Sequence, residues 1–451
     1  MGSRNTKALL LILPASLLAG RRPLAAQTPL RLSFADAVRV ASSETPAVAL
    51  AALRTDEADA RVREARGALL PSLSLGGSWL NRTFNSKTLG FDFSFPLPGG
   101  GTASLPDLIG PFNVYDARFS AAQTLFDWSS VTRVKAAGAQ ADGSRAEHGA
   151  TVERSAVTAA VAYVQAVRAA ALVDARRADS TLAAELATLA QAQKAAGVSA
   201  AIDLTRAQVQ LTVAQGQLLV ARNQADGARI DLTRALGLDP ATPFTLTDTL
   251  APSLGVAAVA EERDSAISTA LANRPDLRVE QARGVAARRT GSAIRAERLP
   301  RLAVVGDYGV SGRTVPQAIS TYDLSVQVSI SILDGFRREA RLDEQDAVAR
   351  ESQVRETDLR RQIGADVDAA LLDLRSAEAG QRIATEGLRL AREEVAQARE
   401  RFRSGVAGNI DVITAQQSLI RARDADIGAR YATVVARVSL ARAAGIASTL
   451  H

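Results

Sequence analysis

The chain contains an internal repeat, and this repeat limits the folds that the chain can adopt. Segments 192–211 and 400–419 align without a gap and share seven of 20 residues. The identical pairs are Gly197/Gly405, Val198/Val406, Ile202/Ile410, Asp203/Asp411, Ala207/Ala415, Gln208/Gln416 and Leu211/Leu419. Pro46 and Pro71 lie 25 residues apart, as do Pro275 and Pro300. The repeat predicts two copies of one supersecondary unit packed on each other, which we place at 27–250 and 251–451.

Each copy is predicted to contain a long helical hairpin, at about 128–237 and 335–445. Proline is absent from 112–239 and after Pro316, and apolar residues recur at helical spacing in both stretches. The long helices are predicted at Trp128–Ala195 and Gly335–Arg403, each about 100 Å long at about 1.5 Å per residue. The shorter helices are predicted at Phe34–Leu69, Ile202–Leu236, Glu261–Leu299 and Ile410–Ala444. Two short helices stacked end to end match one long helix in length, so we expect each such pair to pack beside a long helix.

Each copy is also predicted to contain a β-hairpin, at about 72–126 and 301–333. In the second hairpin Leu324, Val326, Val328, Ile330 and Ile332 alternate with small polar residues. This alternation fits the wall of a membrane barrel, and it also fits an ordinary sheet with one face in water. Known single-chain membrane barrels have at least about eight strands, and an open edge in lipid leaves backbone groups unpaired. If these four strands span a membrane, several copies of the chain must pool them.

Composition excludes several classes of site. The 451 residues include no cysteine and two histidines, His148 and His451, which leaves no thiolate site and no material for a histidine-based metal site or triad. The four basic residues of 1–26 carry most of the net charge of +6, so the rest of the chain indicates no nucleic-acid surface. Segment 1–26 is predicted to be a signal peptide, with a basic start and a short apolar stretch. No later segment approaches about 18 uncharged apolar residues, and we predict no transmembrane helix.

Several short motifs, in this order and at these spacings, resemble the bacterial outer-membrane efflux proteins of the TolC family. They are Leu-Pro-x-Leu before each first strand, Gln123–Asp127, Asn273–Leu277, Ile332–Gly335, Arg401–Gly405 and Ile410–Val412. The resemblance covers essentially the whole chain after 1–26. It implies a mainly α fold with a small β part. In the homotrimer, a 12-stranded β-barrel in the outer membrane would continue into a periplasmic α-helical barrel. Residues near Asp239–Ala260 and the end of the chain would form a belt around the middle.

The resemblance further implies partners and functional residues. The expected partners are outer-membrane lipid, a periplasmic adaptor protein and an inner-membrane pump, for efflux or type I secretion. The turns at Gly197, Val198, Gly405 and Val406 would contact the adaptor, and glycine there also suits a helix-ending turn. Asp203 and Asp411 would form a ring at the periplasmic gate, or simply place charge at helix N-termini. Arg206 and Arg403 are candidate partners, because Ala407 and Thr414 depart from the gate arginine and second aspartate of the best-known member.

Three further features carry weaker expectations. Asp127 and Asp334 follow the strands and are predicted to cap the long helices. Phe91, Phe93 and Phe95 lie in the long loop of the first hairpin, where packing on loop residues is expected and lining of the outer mouth is the alternative. We expect no catalytic residue, cofactor or bound metal.

Two classes of alternative remain open at this stage. The first is an enzyme, although no nucleophile elbow, P-loop or zinc-protease motif occurs in the sequence. The second is an exported structural coiled coil or a periplasmic adaptor without channel activity. An adaptor has one helical hairpin flanked by β domains, and a coiled coil does not need alternating strands.

Overall fold

The computed structural model describes residues 30–90, 94–96, 98–104, 106–197, 199–251, 254, 262–404, 406 and 408–450. The first copy contains, in order, β1 (Leu30–Leu32), α1 (Phe34–Ser43), α2 (Pro46–Gly67), β2 (Ser72–Asn85), β3 (Ser94–Pro96), β4 (Thr102–Ser104), β5 (Leu108–Phe126), α3 (Trp128–Ala195), α4 (Ala201–Leu236) and β6 (Phe244–Leu246). The second contains α5 (Arg263–Asn273), α6 (Pro275–Ala296), β7 (Arg301–Gly312), β8 (Ile319–Ser329), α7 (Arg337–Arg403) and α8 (Asn409–Ala444). The mainly α fold with a small β part is therefore confirmed.

Four long strands, two from each copy, form one antiparallel sheet. Its order is β2-β5-β7-β8, so the two hairpins join through the β5–β7 pair. Leu75 pairs with Phe119, Phe119 with Tyr308, and Tyr308 with Tyr322. Because residues directly opposite each other on neighbouring strands point to the same side, these four residues share one face of the sheet. β2 and β8 are the two edges of the sheet.

The helices extend this wall away from the sheet in the same order. Next to the sheet, α2 packs on α3, α3 on α6, and α6 on α7. Toward the far end, α4 packs on α3, α3 on α8, and α8 on α7. The expected pairing of two short helices with each long one is thus present, with α2 and α4 beside α3 and with α6 and α8 beside α7. α4 buries alanines at a seven-residue spacing, a repeat typical of coiled-coil packing: Ala207, Ala214, Ala221 and Ala228.

The main core lies midway along the helices. β1 pairs in parallel with β6, and both pack against α3 together with the end of the chain, where Leu450 is buried. Tyr163 of α3 is fully buried, and its hydroxyl bonds the carbonyl of Leu32 at 2.9 Å and Oδ2 of Asp248 at 2.8 Å. This core fixes the first and last described segments to the longest helix.

Several predicted bounds differ from the structure. The helix predicted at Phe34–Leu69 is two helices, α1 and α2, and Glu261–Leu299 is likewise α5 and α6. The second member of each pair begins with a proline, Pro46 or Pro275, which has no amide hydrogen to continue the preceding helix. β8 ends at Ser329, so Ile330 and Ile332 lie beyond the strand that was predicted to include them.

The remaining predicted segments meet the limits of the described residues. The signal peptide predicted at 1–26 lies outside them, as do Phe91 and Phe93. Phe95 of β3 is 56% exposed, and its expected packing on loop residues stays a prediction. The boundary predicted between the copies at 250 and 251 adjoins 252–261, of which only residue 254 is described, and that boundary stays a prediction.

One helix of the described chain, α3, is long and apolar enough to cross a membrane by length and composition alone. Its most apolar 18-residue window has a mean hydropathy of 1.6, and 44% of that window is buried inside the chain. Ala156, Ala160, Val164 and Val167 of α3 belong to the main core. A core helix rich in alanine and valine gives the same signal as a membrane span.

Candidate functional site

The two faces of the four-stranded sheet differ sharply in polarity. One face carries exposed apolar and aromatic side chains on every strand: Leu73, Leu75, Trp79, Phe119, Tyr308, Val310, Tyr322, Leu324, Val326 and Val328. The other carries serines and charged groups, including Asp116, Arg118, Asp307, Asp323 and Ser325. We call these the apolar face and the polar face. A sheet of this kind separates an oily environment from an aqueous one.

Arg118 joins three strands across the polar face. Its guanidinium donates to Asp116 on β5 at 2.9 Å, to Asp307 on β7 at 2.5 Å and to the hydroxyl of Thr321 on β8 at 3.4 Å. The side chain of Arg118 passes over Gly309 of β7, where an added Cβ atom would lie only 2.6 Å from Cγ of Arg118. Glycine at this position lets the arginine lie across the sheet. Arg118 was not singled out from the sequence, where an arginine between two polar strands carries no distinctive signal.

Both edges of the described wall carry exposed apolar residues on the sheet and on the helices. On one side, β2 and α4 expose Leu75, Leu219 and Ile230. On the other, β8 and α7 expose Val326, Leu372 and Ile383. β2 and β8 also leave one row of backbone groups each without a strand partner in the described chain. Such edges are normally covered or paired, so this wall is one part of a larger assembly.

The helical hairpins end in the two turns predicted as tips. Gly197 has φ +73°, the left-handed conformation that glycine tolerates best. Val406 is 72% exposed. Val198 and Gly405 lie outside the described residues, as does Ala407. The assignment of all four predicted tip residues to adaptor contact stays a prediction.

The four candidate gate residues lie close to these turns, and the structure pairs only two of them. Asp203 accepts a hydrogen bond from the Ser199 hydroxyl at 3.1 Å and lies 3.8 Å from Nη1 of Arg206, in the first turn of α4. Asp411 occupies the matching first turn of α8 and is exposed. Arg403 lines a cavity of about 240 Å³ with Glu185 and Arg399. Within the described part of the chain, neither Asp411 nor Arg403 forms an ion pair.

A buried charged layer lies about 18 residues above the tips along α3 and α8 and was missed in the sequence. Asp179 of α3, whose side chain is 2% exposed, accepts bonds from Arg176 and from Arg423 of α8. Arg176 also bonds Asp424 at 2.5 Å. Burial lowers the pKa of Arg176, but Asp424 and Asp179 outweigh it and raise the pKa, so the group stays charged. The available signal was Asp179 itself, which stands in line with the apolar stripe of Leu182 and Leu186.

The charged layer separates two apolar cores. Below it, Leu186 of α3 packs with Leu388, Val395 and Phe402 of α7 and with residues of α8. Above it lies the main core around Tyr163. A buried ionic layer at one level of a helical bundle fixes helix register, since any slip leaves charges unpaired.

The two strand-to-helix junctions are built differently, although the sequence predicted the same cap at both. Asp127 accepts the amide hydrogens of Ser129 at 3.0 Å and Ser130 at 3.2 Å, which is a helix N-cap. The predicted cap at Asp334 is wrong. α7 begins at Arg337 after Phe336, which has φ +60°, and Asp334 instead lies 3.7 Å from Nε of Arg338. The two extra residues before α7 carry Asp334 away from the first free amides.

The described residues contain no group of three histidine, aspartate or glutamate side chains placed to hold a metal ion. Their charged groups are instead arranged in pairs and layers along the wall. What the arrangement provides is a surface that is apolar outside and polar inside, continued by helices.

Comparison with known proteins agrees with this architecture. The profile of a protein family described as "Outer membrane efflux protein" matches residues 37–238 and 266–446. Protein CyaE of Bordetella pertussis is 29% identical over 297 residues, which cover 64% of this chain and 62% of CyaE. The chain thus matches less than two thirds of the length of that relative.

Solved structures share the fold over nearly the whole chain. The CmeC outer membrane channel of Campylobacter jejuni superposes with a TM-score of 0.76 at 15% identity, covering 92% of this chain and 86% of CmeC. The outer membrane protein VceC of Vibrio cholerae gives a TM-score of 0.71 at 16% identity, covering 91% and 96%. At these identities the likeness concerns the fold.

Proposed function

This chain belongs to the outer membrane efflux protein family, and we propose that it is the outer-membrane exit channel of a tripartite efflux or type I secretion system. Three copies would close the wall into a 12-stranded barrel followed by a helical tunnel. Substrates delivered by an inner-membrane pump would pass through the tunnel and leave through the barrel.

The observation that carries this proposal is the common order of strands and helices in one open wall. Order β2-β5-β7-β8 in the sheet continues as α2-α3-α6-α7 and α4-α3-α8-α7 in the helices. A copy can therefore meet the next one edge to edge along the whole length, with β2, α2 and α4 against β8 and α7. Closure pairs the free strand edges and covers exposed apolar residues at the helical edges, such as Leu219 and Leu372. The apolar face of the sheet then faces lipid, and the polar face lies inside.

The tips provide the proposed docking surface for a periplasmic adaptor. Gly197 with Val198, and Gly405 with Val406, would present one small and one apolar residue at the end of each hairpin. The exposed Val406 supports this assignment, because an apolar side chain at a helix-ending turn gains stability when a partner covers it. The adaptor would in turn connect the channel to the pump.

Asp203 and Asp411 are the proposed gate residues, two per copy and six per trimer. Both lie in the first turn of a returning helix, one turn above the tips. Six carboxylates at one narrow level would attract cations and repel anions, and Arg206 and Arg403 are the candidate partners that would hold them in a closed ring.

Single-channel recording in a planar bilayer, with the purified trimer, tests both levels of this proposal. We expect a small conductance that rises severalfold in the double variant Asp203→Ala/Asp411→Ala. Asp231→Ala is the matched control, because Asp231 is an exposed aspartate near the other end of α4 and should leave the conductance unchanged. Light scattering in the same detergent should give the mass of three chains.

The outcomes separate the channel from its gate. If the trimer conducts and the double substitution leaves its conductance unchanged, the channel is supported, and Asp203 and Asp411 are only charges at helix N-termini. A water-soluble monomer without conductance would contradict the channel and favour an exported coiled coil.

A further inference from the structure

The apolar face contains a groove at the centre of the sheet. Ala121 and Gly306, which are neighbours across β5 and β7, form its floor. Phe119, Tyr308, Tyr322 and Leu324 stand around it, and its volume is about 350 Å³. The small floor residues between large rim residues make a depression in a surface that otherwise presents bulky side chains.

The position of this groove along the strands follows from simple geometry. A strand tilted by about 45° and rising about 3.4 Å per residue climbs about 2.4 Å per residue along the membrane normal. Tyr115 and Phe126, both on the apolar face, then lie about 26 Å apart, close to the roughly 25 Å band of a membrane barrel. Ala121 lies about 14 Å from Tyr115 and about 12 Å from Phe126. The groove is therefore at the middle of the bilayer.

Trp128 marks the membrane boundary on the side of the helices. Phe126 pairs with Leu302 on the apolar face, and Asp127 follows in extended conformation with its carboxylate 4.0 Å from Arg301 of the polar face. Alternation returns Trp128 to the apolar side, about 17 Å from the bilayer centre. That is just beyond the hydrocarbon half-thickness of about 15 Å, where tryptophan is favoured.

Lys135 places a positive charge at the same level. Its ammonium lies 5.4 Å from the centre of the Trp128 ring, one face of α3 carrying both residues. The neighbouring arginines already form ion pairs, Arg133 with Glu297 and Arg298 with Glu339. Lys135 has no carboxylate partner among the described residues. A charge without a partner at the headgroup level fits an anionic phosphate.

We propose that each copy binds one anionic phospholipid on the outside of β5 and β7. An acyl chain would lie in the groove over Ala121 and Gly306, and the headgroup phosphate would contact Lys135 beside Trp128. Trp128, whose ring lies beside the Lys135 ammonium, is about 17 Å from the groove along the membrane normal, close to the hydrocarbon thickness of one leaflet, about 15 Å, so one lipid can reach both features. The lipid belongs to the leaflet next to the helices. This inference rests on the proposed outer-membrane location.

Native mass spectrometry of the detergent-solubilised trimer tests the site directly. The trimer is titrated with phosphatidylglycerol and, separately, with phosphatidylcholine carrying the same acyl chains. We expect the wild type to take up three phosphatidylglycerol molecules in preference to phosphatidylcholine. Lys135→Gln should weaken phosphatidylglycerol binding about fivefold and leave phosphatidylcholine unchanged, as expected for one basic residue near an anionic headgroup. Ala121→Leu, which fills the groove, should weaken both lipids.

Two matched variants serve as controls. Lys194→Gln removes an exposed lysine near the far end of the same helix, and Ala117→Leu enlarges a residue on the same strand and face outside the groove. Both should bind as the wild type does. Migration of the unheated trimer on a gel checks that each variant is assembled, and Lys135→Gln changes only an exposed side chain.

These measurements can contradict the proposed lipid site without contradicting the proposed channel function. If Lys135→Gln binds phosphatidylglycerol as Lys194→Gln does, or Ala121→Leu binds lipid as Ala117→Leu does, the site is wrong and the lipid is ordinary annular lipid. Equal uptake of the two lipids by the wild type also overturns it. A chain that stays a water-soluble monomer would instead contradict the outer-membrane channel, and the lipid site with it.

Discussion

Arg274 shows how one residue can hold several elements together. It ends α5, and its guanidinium bonds Asp276 and Asp366 of α7, both at 2.7 Å. Leu277 beside it is buried. Gly445, at the end of α8, packs so closely that a Cβ atom there would lie 2.8 Å from Cα of Arg274. The motif Asn273–Leu277 is thus a helix break that connects α5, α6, α7 and the end of α8.

Asp276 should make the stability of this junction depend on pH. Burial raises the pKa of Asp276, but the hydrogen bonds and charge of Arg274 outweigh it and lower the pKa below 3.8. A lowered folded-state pKa contributes stability above about pH 4 that is lost as pH falls through the folded value. Asp276→Asn should therefore melt below the wild type at pH 7, and the gap should shrink by pH 3. Thermal unfolding followed by circular dichroism at both pH values measures this.

Asp264→Asn is the control for that measurement. Asp264 is 83% exposed, and an exposed pair with Arg263 contributes little. Its melting temperature should follow the wild type at both pH values. A gap between Asp276→Asn and the wild type that stays constant or widens toward pH 3 would contradict the linkage.

At the scale of the elements, the sequence predicts α3, α4, α7 and α8 to within two residues at each end, and it predicts the helices that precede each β-hairpin less well. α3 has the predicted bounds, because no proline or glycine-rich turn interrupts its apolar stripe until Gly197. Phe34–Leu69 and Glu261–Leu299 were each predicted as one helix, although Pro46 and Pro275 lie inside them and in fact begin a new helix. β8 was extended through Ile332 because alternation continues beyond the last ladder bond. Alternation reports which face a side chain takes and cannot report where the neighbouring strand stops.

The residues of the candidate site also differ in whether they can be predicted from nearby sequence or only from contacts between distant segments. Gly197 and Asp203 could be found because the internal repeat places an identical residue at the matching position of the second copy, Gly405 and Asp411. The charged layer at Asp179 and the crossing by Arg118 depend on which helices and strands become neighbours. That information is absent from spacing along one chain, so these residues were missed.

The start of α3 offers a test of element-scale stability. Asp127→Ala removes the acceptor for the amides of Ser129 and Ser130 and should cost about 1 kcal/mol per copy. Asp127→Asn keeps an acceptor oxygen and should recover most of that loss. The temperature at which the trimer dissociates on a gel gives the comparison. Equal loss in both variants would mean that the charge of Asp127, next to Arg301, matters more than the cap.

For the whole molecule, the decisive feature is that one order of elements runs from the sheet to the tips. Barrel and tunnel are then two stretches of a single wall, and closing one closes the other. The exposed apolar edges, the unpaired strand edges and the polar inner face all require the same neighbour. A soluble monomer of this chain would leave all three unsatisfied.

Disulfide cross-linking tests this closure, and the chain helps because it has no cysteine of its own. Ser74→Cys on β2 is combined in turn with Cys at Ser325 or Gln327 on β8. Within one chain these strands are three strand spacings apart, about 14 Å, too far for a disulfide. One combination should therefore give cross-linked dimers and trimers on a non-reducing gel. Ser74→Cys with Ser120→Cys, which face each other in one chain, should give only monomers. If both combinations give only monomers, Ser74→Cys is combined with Cys at Thr321, Asp323 and Ser329, the other polar-face positions of β8. Monomers from all five combinations would contradict edge-to-edge closure, because one of these positions must face Ser74 if β2 pairs with β8 of a neighbouring copy.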